Sequence, residues 1–204
     1  MHSKVNRFIS EHIYEGKLES HPDNDKRIID VPADYDGSLN LDAGVVFVPV
    51  AHEGNTQASD EEVAEIKSLA NALIGRTFYT GKEHTGKSDI ETRPIDWNDI
   101  LFIAPYNHQV SKLRAALGEQ AKVGSVDKFQ GQEAPIVFLS MCASDASESP
   151  RGLNFLFDKH RINVAISRAQ SIAVVVGNPD IGKTPVNRVE QLKLVNLFNV
   201  IGKI

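Results

Sequence analysis

The sequence has almost no cysteine. Its single thiol, Cys142, excludes an internal disulfide and is typical of a protein from a reducing compartment. Long apolar runs are also lacking, because none approaches the roughly 20 residues that a membrane-spanning helix needs, and the N-terminus has no apolar signal segment. We therefore expect a soluble, cytoplasmic protein with no membrane partner.

Basic residues are not in excess either. The chain has 22 Lys and Arg against 27 Asp and Glu, which gives a formal net charge of -5. A protein that wraps duplex DNA through many phosphates is usually basic, so any contact with nucleic acid must be local here. The 204 residues, of which 41% are hydrophobic, are enough for one well-packed domain with a sizeable core.

The sequence does contain short apolar runs that alternate with amphipathic segments. Apolar residues at consecutive positions suit strands that are covered on both faces, and such runs lie at 45–50, 100–104, 136–139 and 172–177. Helical spacing of apolar residues predicts helices at 5–13, 60–74, 107–118, 158–169 and 189–198. The predicted fold class is α/β, with a mainly parallel sheet and helices on both faces.

Local signals predict where several of these segments begin and end. Ser59 and Glu62 have the spacing of a capping box, Gly75 suits the end of the same helix, and Asn107 can cap the next one. The segment 19–42 has no sustained periodicity and predicts an irregular excursion with at most a short strand near 28. The polar segment 145–151 predicts an exposed loop.

Two polar motifs flank the apolar run at 136–139. The first ends in Gln130-Gly-Gln-Glu133, which alone would be a polar turn, and the second is Arg161-Ile-Asn-Val-Ala-Ile-Ser-Arg-Ala169. In the second motif the apolar residues recur at helical spacing, so that face should pack on the sheet. Arg161 and Arg168 lie two turns apart, roughly 10 Å along the axis and close in azimuth, so both guanidinium groups could reach the same side.

These two motifs resemble motifs V and VI of superfamily 1 helicases, specifically the superfamily 1B branch that includes the nonsense-decay and Okazaki-processing helicases. Ala104-Pro-Tyr-Asn-x-Gln109 is similar to motif IV of the same family. Met1-His2 stands where the family has the Met-His of Tyr-Arg-Met-His-Pro, with Ser3 in place of the proline. The alternative is that Met1 is an ordinary initiator and this last match is accidental.

The resemblance implies that 1–204 is a single second RecA-like lobe of the P-loop NTPase fold, within a longer protein and without a functional phosphate loop of its own. An arginine that the family uses near the ATP phosphates would then lie just upstream of Met1. ATP with Mg²⁺ would be bound mainly by a missing N-terminal lobe. Certain bacterial relatives also carry a nuclease domain, so a fused nuclease domain stays open as a further partner.

The resemblance also implies roles for individual residues. Arg168 would be the arginine finger, with Arg161 in support and Gln130 near the phosphates. Cofactor binding would involve Gly131 near the phosphates and Glu133 on the nucleotide ribose. Single-stranded nucleic acid, DNA rather than RNA, would be contacted without sequence preference by the loops that contain Tyr106, Gln109, Ser125 and Asp127.

Each of these roles has a structural alternative. Tyr106 could be a core aromatic residue whose hydroxyl is satisfied internally, and Arg168 could be a surface arginine that pairs with a neighbouring carboxylate. The whole chain could also be a non-catalytic RecA-like interaction module that has kept the fold.

A second pattern points to a different kind of enzyme. Gly81-Lys-Glu-His-Thr-Gly-Lys-Ser88 satisfies the phosphate-loop spacing, so a self-contained NTPase that uses 81–88 is the alternative function. A phosphate loop must follow a strand and open a helix, so that backbone N–H groups converge on the phosphates. Only a few residues, 77–80, separate it from the preceding predicted helix, and 89–94 has no apolar helical face and ends in a proline. We therefore predict a solvated loop.

Overall fold

The computed structural model of the chain describes residues 1–83, 90–145, 149–186 and 189–201. Within these residues the helices and strands are, in chain order, α1 (Ser3–Ile13), β1 (Gly44–Pro49), α2 (Asp60–Leu73), β2 (Thr77–Glu83), β3 (Ile90–Pro94), β4 (Ile100–Ile103), α3 (Asn107–Leu117), β5 (Lys122–Gly124), β6 (Ala134–Ser140), α4 (Gly152–Leu156), α5 (Lys159–Ser167), β7 (Ala169–Gly177) and α6 (Val189–Ile201).

The central sheet has five strands in the order β1-β7-β6-β4-β5, and every pair of neighbours is parallel. Successive residues of a strand point to opposite faces, so Leu101 and Ile103 enter one apolar cluster while Ile100 and Phe102 enter the other. Helices α1, α4, α5 and α6 contribute to the first cluster, and α2 and α3 to the second. The predicted α/β, RecA-like fold with helices on both faces is confirmed.

The ends of α2 show what the sequence predicted and what it did not. The hydroxyl of Ser59 accepts a hydrogen bond from the backbone N–H of Glu62 (3.0 Å), and Gly75 takes a positive φ of 85° just after the helix, as predicted. The predicted capping box is wrong in its second half, because the carboxylate of Glu62 is fully buried and turned into the core. The predicted cap of α3 is displaced by one residue, since Tyr106 rather than Asn107 precedes the first turn.

The segment 77–94 contains an antiparallel hairpin, β2 and β3, that the sequence analysis missed. Ile29 bridges to Phe78 of β2, in agreement with the short strand predicted near 28, and the rest of 19–42 contains only a 3₁₀ turn over Pro22–Lys26. Of the phosphate-loop pattern 81–88, positions 84–88 lie outside the described residues. The residues that follow at Ile90–Pro94 form a strand, whereas a phosphate loop must open a helix.

Of the segment 145–151, predicted as an exposed loop, positions 146–148 lie outside the described residues. Pro150 and Arg151 are exposed as predicted, whereas Ser149 is buried. In the part of the chain that the structure describes, no helix is both long and apolar enough to cross a membrane.

Candidate functional site

The residues singled out by the motifs lie at two opposite ends of the sheet strands. Tyr106 follows β4 and Ser125 follows β5, so both lie at the carboxyl ends of strands. Glu133 immediately precedes β6 and Arg168 immediately precedes β7, so both lie at the amino ends. Because α5 runs back between these ends, its first turn carries Arg161 to the carboxyl ends of the strands.

A cavity of about 410 Å³ opens at the carboxyl ends of the strands. Its lining joins the loop after β4, the turn after β5 and the first turn of α5, through Tyr106, Asn107, Ser125, Asp127, Arg151 and Arg161. Ser125 precedes a 3₁₀ turn over Val126–Phe129, and its side chain makes no capping hydrogen bond there. Open parallel sheets place ligands at this end of the strands.

Two guanidinium groups in this cavity contact one aromatic ring. The guanidinium carbons of Arg161 and Arg151 lie 4.3 Å and 4.5 Å from the ring centroid of Phe155. The carboxylate of Asp158 caps α5 by accepting from the backbone N–H groups of His160 (2.8 Å) and Arg161 (3.1 Å). Within the described residues neither arginine forms an ion pair with a carboxylate.

Two residues expected to contact nucleic acid are buried instead. Tyr106 is 6% exposed and its hydroxyl hydrogen-bonds to that of Ser149, which is the core-aromatic alternative. Gln109 is fully buried, and its amide bonds both backbone groups of Ser59 and the hydroxyl of Ser140. A side chain without exposed atoms cannot touch a ligand, so the expected direct contact of Gln109 with nucleic acid is wrong. Its amide instead joins the start of α2 to the end of β6.

The residues expected to contact ATP lie near one another at the amino ends of β6 and β7. Gln130, Gly131 and Glu133 are exposed and lead into β6, and Gly131 has a φ of 80°. The backbone N–H of Ala134 donates to the carbonyl of Arg168 (3.0 Å), which places Glu133 beside the end of α5. The start of the chain joins them, because the backbone N–H of His2 donates to the carbonyl of Gln170 (2.7 Å).

Arg168 follows the last turn of α5 and is partly exposed. Its Nε donates to the carbonyl of Val164 (3.2 Å), which folds the side chain along the end of its own helix. No carboxylate in the described part of the chain forms an ion pair with Arg168. This geometry counts against the alternative of a surface arginine that bridges to a neighbouring carboxylate.

The sequence analysis missed a buried polar network around Glu62. The Glu62 carboxylate contacts His52 Nε2 (3.0 Å) and accepts hydrogen bonds from the hydroxyl of Ser140 (2.5 Å) and the backbone N–H of Cys142 (2.9 Å). His52 Nδ1 in turn lies 2.7 Å from the hydroxyl of Ser144. The sequence gives one sign of this network, a glutamate on the apolar side of a predicted helix. The spacing of Ser59 and Glu62 had assigned that glutamate to a capping box instead.

This network also sets the chemistry of the single thiol. Burial raises the pKa of Cys142 well above its ordinary value, and the neighbouring Glu62 carboxylate raises it further. Cys142 itself has a φ of 54°, in the left-handed region that non-glycine residues seldom adopt. Burial and the neighbouring carboxylate therefore both disfavour the thiolate, which is the reactive form of a cysteine, and the Glu62 carboxylate accepts the backbone N–H of Cys142 at this point.

Comparison with known proteins identifies relatives of this chain. The family model described as an AAA domain matches residues 1–180. DNA polymerase alpha-associated DNA helicase A of Saccharomyces cerevisiae is 28% identical over 190 residues, which cover 89% of this chain and 27% of that protein. DNA-binding protein SMUBP-2 of Mesocricetus auratus is 28% identical over 216 residues, which cover 100% of this chain and 20% of that protein.

A shorter match has higher identity. RNA helicase Mov10l1 of Homo sapiens is 42% identical over 94 residues, which cover 43% of this chain and 8% of that protein. The chain therefore spans between 8% and 27% of the length of these three relatives.

Proposed function

Because the chain belongs to the AAA domain family, as a helicase domain of the superfamily 1B type, we propose that it is the C-terminal motor lobe of an ATP-dependent helicase. The lobe spans residues 1–204 and works against an N-terminal RecA-like lobe, which supplies the phosphate loop and holds most of ATP and its Mg²⁺. Single-stranded nucleic acid is the substrate on which the two lobes move.

One observation carries this proposal: the motif residues divide between the two ends of the strands. Glu133 and Arg168 lie together at the amino ends, where the Glu133 side chain is exposed and Arg168 has no ion-pair partner among the described residues. An exposed acceptor and an unpaired guanidinium fit half of a nucleotide site. In this proposal Glu133 accepts from the ribose, Gln130 and Gly131 lie near the phosphates, and Arg168 is the arginine finger.

The carboxyl ends of the strands support the other half of the proposal. Ser125 and Asp127 line the cavity there, where a hydroxyl and backbone N–H groups can hold a phosphate of the nucleic-acid backbone. Such contacts read no bases, so the proposed binding is independent of sequence. The two ligands would then occupy different ends of one sheet. Lobe movement driven by ATP at one end would move the nucleic-acid strand that is held at the other.

The first prediction concerns ATP hydrolysis by the 204-residue chain alone. Phosphoryl transfer needs a phosphate cradle and a held Mg²⁺, and the proposal assigns both to the other lobe. We expect Mg²⁺-dependent ATPase activity at the buffer background, measured by phosphate release, and turnover only when the N-terminal lobe is present. Robust activity of the chain alone that Lys87→Ala abolishes would instead support the self-contained NTPase.

The second prediction concerns nucleic-acid binding. With a net charge of -5 and few phosphate contacts, the isolated lobe should bind single strands weakly, with a shallow dependence of affinity on salt. In the full-length protein Ser125→Ala should weaken binding by a similar factor for unrelated sequences, measured by fluorescence anisotropy on DNA and RNA oligonucleotides. A strong base preference of the wild type would contradict recognition through the backbone alone.

A further inference from the structure

We propose that Arg151 and Arg161, both stacked on Phe155, form a binding site for one phosphodiester group of a single nucleic-acid strand. The site lies in the cavity at the carboxyl ends of the strands. The inference rests on the proposed function and deepens it, because it moves Arg161 from the ATP site to the nucleic-acid site and adds Arg151, which none of the motifs singled out.

The first argument is position. Arg161 lies in the first turn of α5 and Arg168 just after its last, so about 10 Å of helix separates them. The neighbours of Arg161 are residues at the carboxyl ends of the strands, including Pro105 after β4 and Met141 after β6. The backbone carbonyl of Arg168 instead accepts from the N–H of Ala134 at the amino end of β6, and its Nε donates to the carbonyl of Val164 at the end of α5. The two arginines therefore face different sites.

The second argument is charge. Arg151 and Arg161 line the cavity with Asp127, so these three side chains leave a single formal positive charge. One positive charge matches one phosphodiester group, which carries one negative charge, and matches a nucleoside triphosphate poorly. Among the described residues, neither guanidinium pairs with a carboxylate.

The third argument is preorganisation. Arginine side chains lose rotamer freedom when they bind, and this loss weakens most surface contacts. Here the ring of Phe155 already holds both guanidinium groups, at 4.3 Å and 4.5 Å from its centroid. Their planar groups can then donate to phosphate oxygens with little further ordering, and the hydroxyl of Ser125 lines the same cavity.

The test compares Arg151→Gln and Arg161→Gln in the full-length protein that carries this chain. The probes are a 20-mer of deoxythymidine and a 20-mer of uridine, with affinity measured by anisotropy from low to high salt. Each variant should bind both probes about 10-fold more weakly, since a charged hydrogen bond is lost. The slope of log affinity against log salt should fall by about 0.7 for each lost phosphate contact.

Turnover separates this site from the ATP site. In titrations with nucleic acid, both variants should need about 10-fold more probe to reach half-maximal ATPase activity, because the affected contact is to nucleic acid in this proposal. Arg7→Gln serves as the matched control, since Arg7 is exposed on α1 and does not line the cavity. That control should change neither affinity nor slope.

Three results would overturn the inference. They are wild-type affinity and slope in both variants, a loss of kcat in Arg161→Gln at unchanged affinity, and weaker binding confined to the uridine probe, which would place the contact on the 2′-hydroxyl. Arg168→Ala is measured in parallel. If it loses turnover while the other two variants bind normally, only this inference fails; if it keeps wild-type turnover, the proposed ATP site fails.

Discussion

Replacing Arg168 with alanine is expected to lower kcat for ATP hydrolysis about 10³-fold or more in the full-length protein, while much of the ATP binding remains. Negative charge is redistributed over the γ-phosphoryl oxygens as the bond to the leaving group breaks, and a guanidinium stabilises it best from a fixed position. An interaction made mainly in the transition state contributes to kcat more than to binding.

The position of Arg168 explains why this effect should depend on lobe closure. The side chain lies at the end of α5, with its Nε on the carbonyl of Val164, and pairs with no carboxylate among the described residues. If ATP is held mainly by the N-terminal lobe, Arg168 reaches the γ-phosphoryl group only when the two lobes approach. Hydrolysis is then coupled to lobe movement, as motor activity requires.

Arg168→Lys separates charge from geometry. An ammonium group keeps the positive charge but lacks the planar fork that contacts two phosphate oxygens, so this variant should also have a low kcat. Lys67→Ala is the matched control, because Lys67 is exposed on α2, which packs against the other face of the sheet. Near-normal kcat in both Arg168 variants, with nucleic acid present and folding verified, would remove Arg168 from the active site.

The core of the fold was predictable because burial determines it directly. Strand β6 is buried at every residue, and a strand covered on both faces must be apolar at consecutive positions, which is the pattern the sequence shows. The amphipathic helices are predictable for the same reason, because the face of each helix that packs on the sheet is buried and must be apolar. The hairpin β2–β3 escaped prediction because its residues are mostly exposed or partly exposed, so burial imposes no clear alternation on them.

The candidate site was predictable in its members and less so in its arrangement. The spacing of Arg161 and Arg168 suggested one shared side, because helical register fixes the azimuth of each residue. Register does not determine which neighbours each end of the helix meets. Packing against the sheet decides that, and it places Arg161 at the carboxyl ends and the backbone of Arg168 at the amino ends of the strands. Gln109 and Glu62 show the same limit, since both are polar residues whose partners come from distant segments.

Glu62→Ala is expected to destabilise the fold strongly. The substitution removes the acceptor for the Ser140 hydroxyl and the Cys142 backbone N–H, and the contact to His52, and it leaves a cavity among buried polar groups. Each buried polar group left without its partner costs roughly 1 to 3 kcal/mol, and several are left here, so we expect a loss of about 3 to 5 kcal/mol. For a domain of this size, even the lower value should reduce Tm by roughly 6 to 12 °C, measured by calorimetry or circular dichroism.

The same change should be visible at the thiol. Cys142 is buried beside Glu62 at the end of β6. Once the hydrogen bond to its backbone is lost, the end of β6 should open more often, so alkylation of Cys142 by iodoacetamide should be faster than in the wild type.

The matched control for this prediction is Glu65→Ala, one turn further along α2, where the side chain is partly exposed. Removing a carboxylate there should change the free energy of unfolding by no more than about 0.5 kcal/mol and leave alkylation of Cys142 slow. If Glu62→Ala and Glu65→Ala have the same Tm and the same alkylation rate, the Glu62 network does not hold the end of β6.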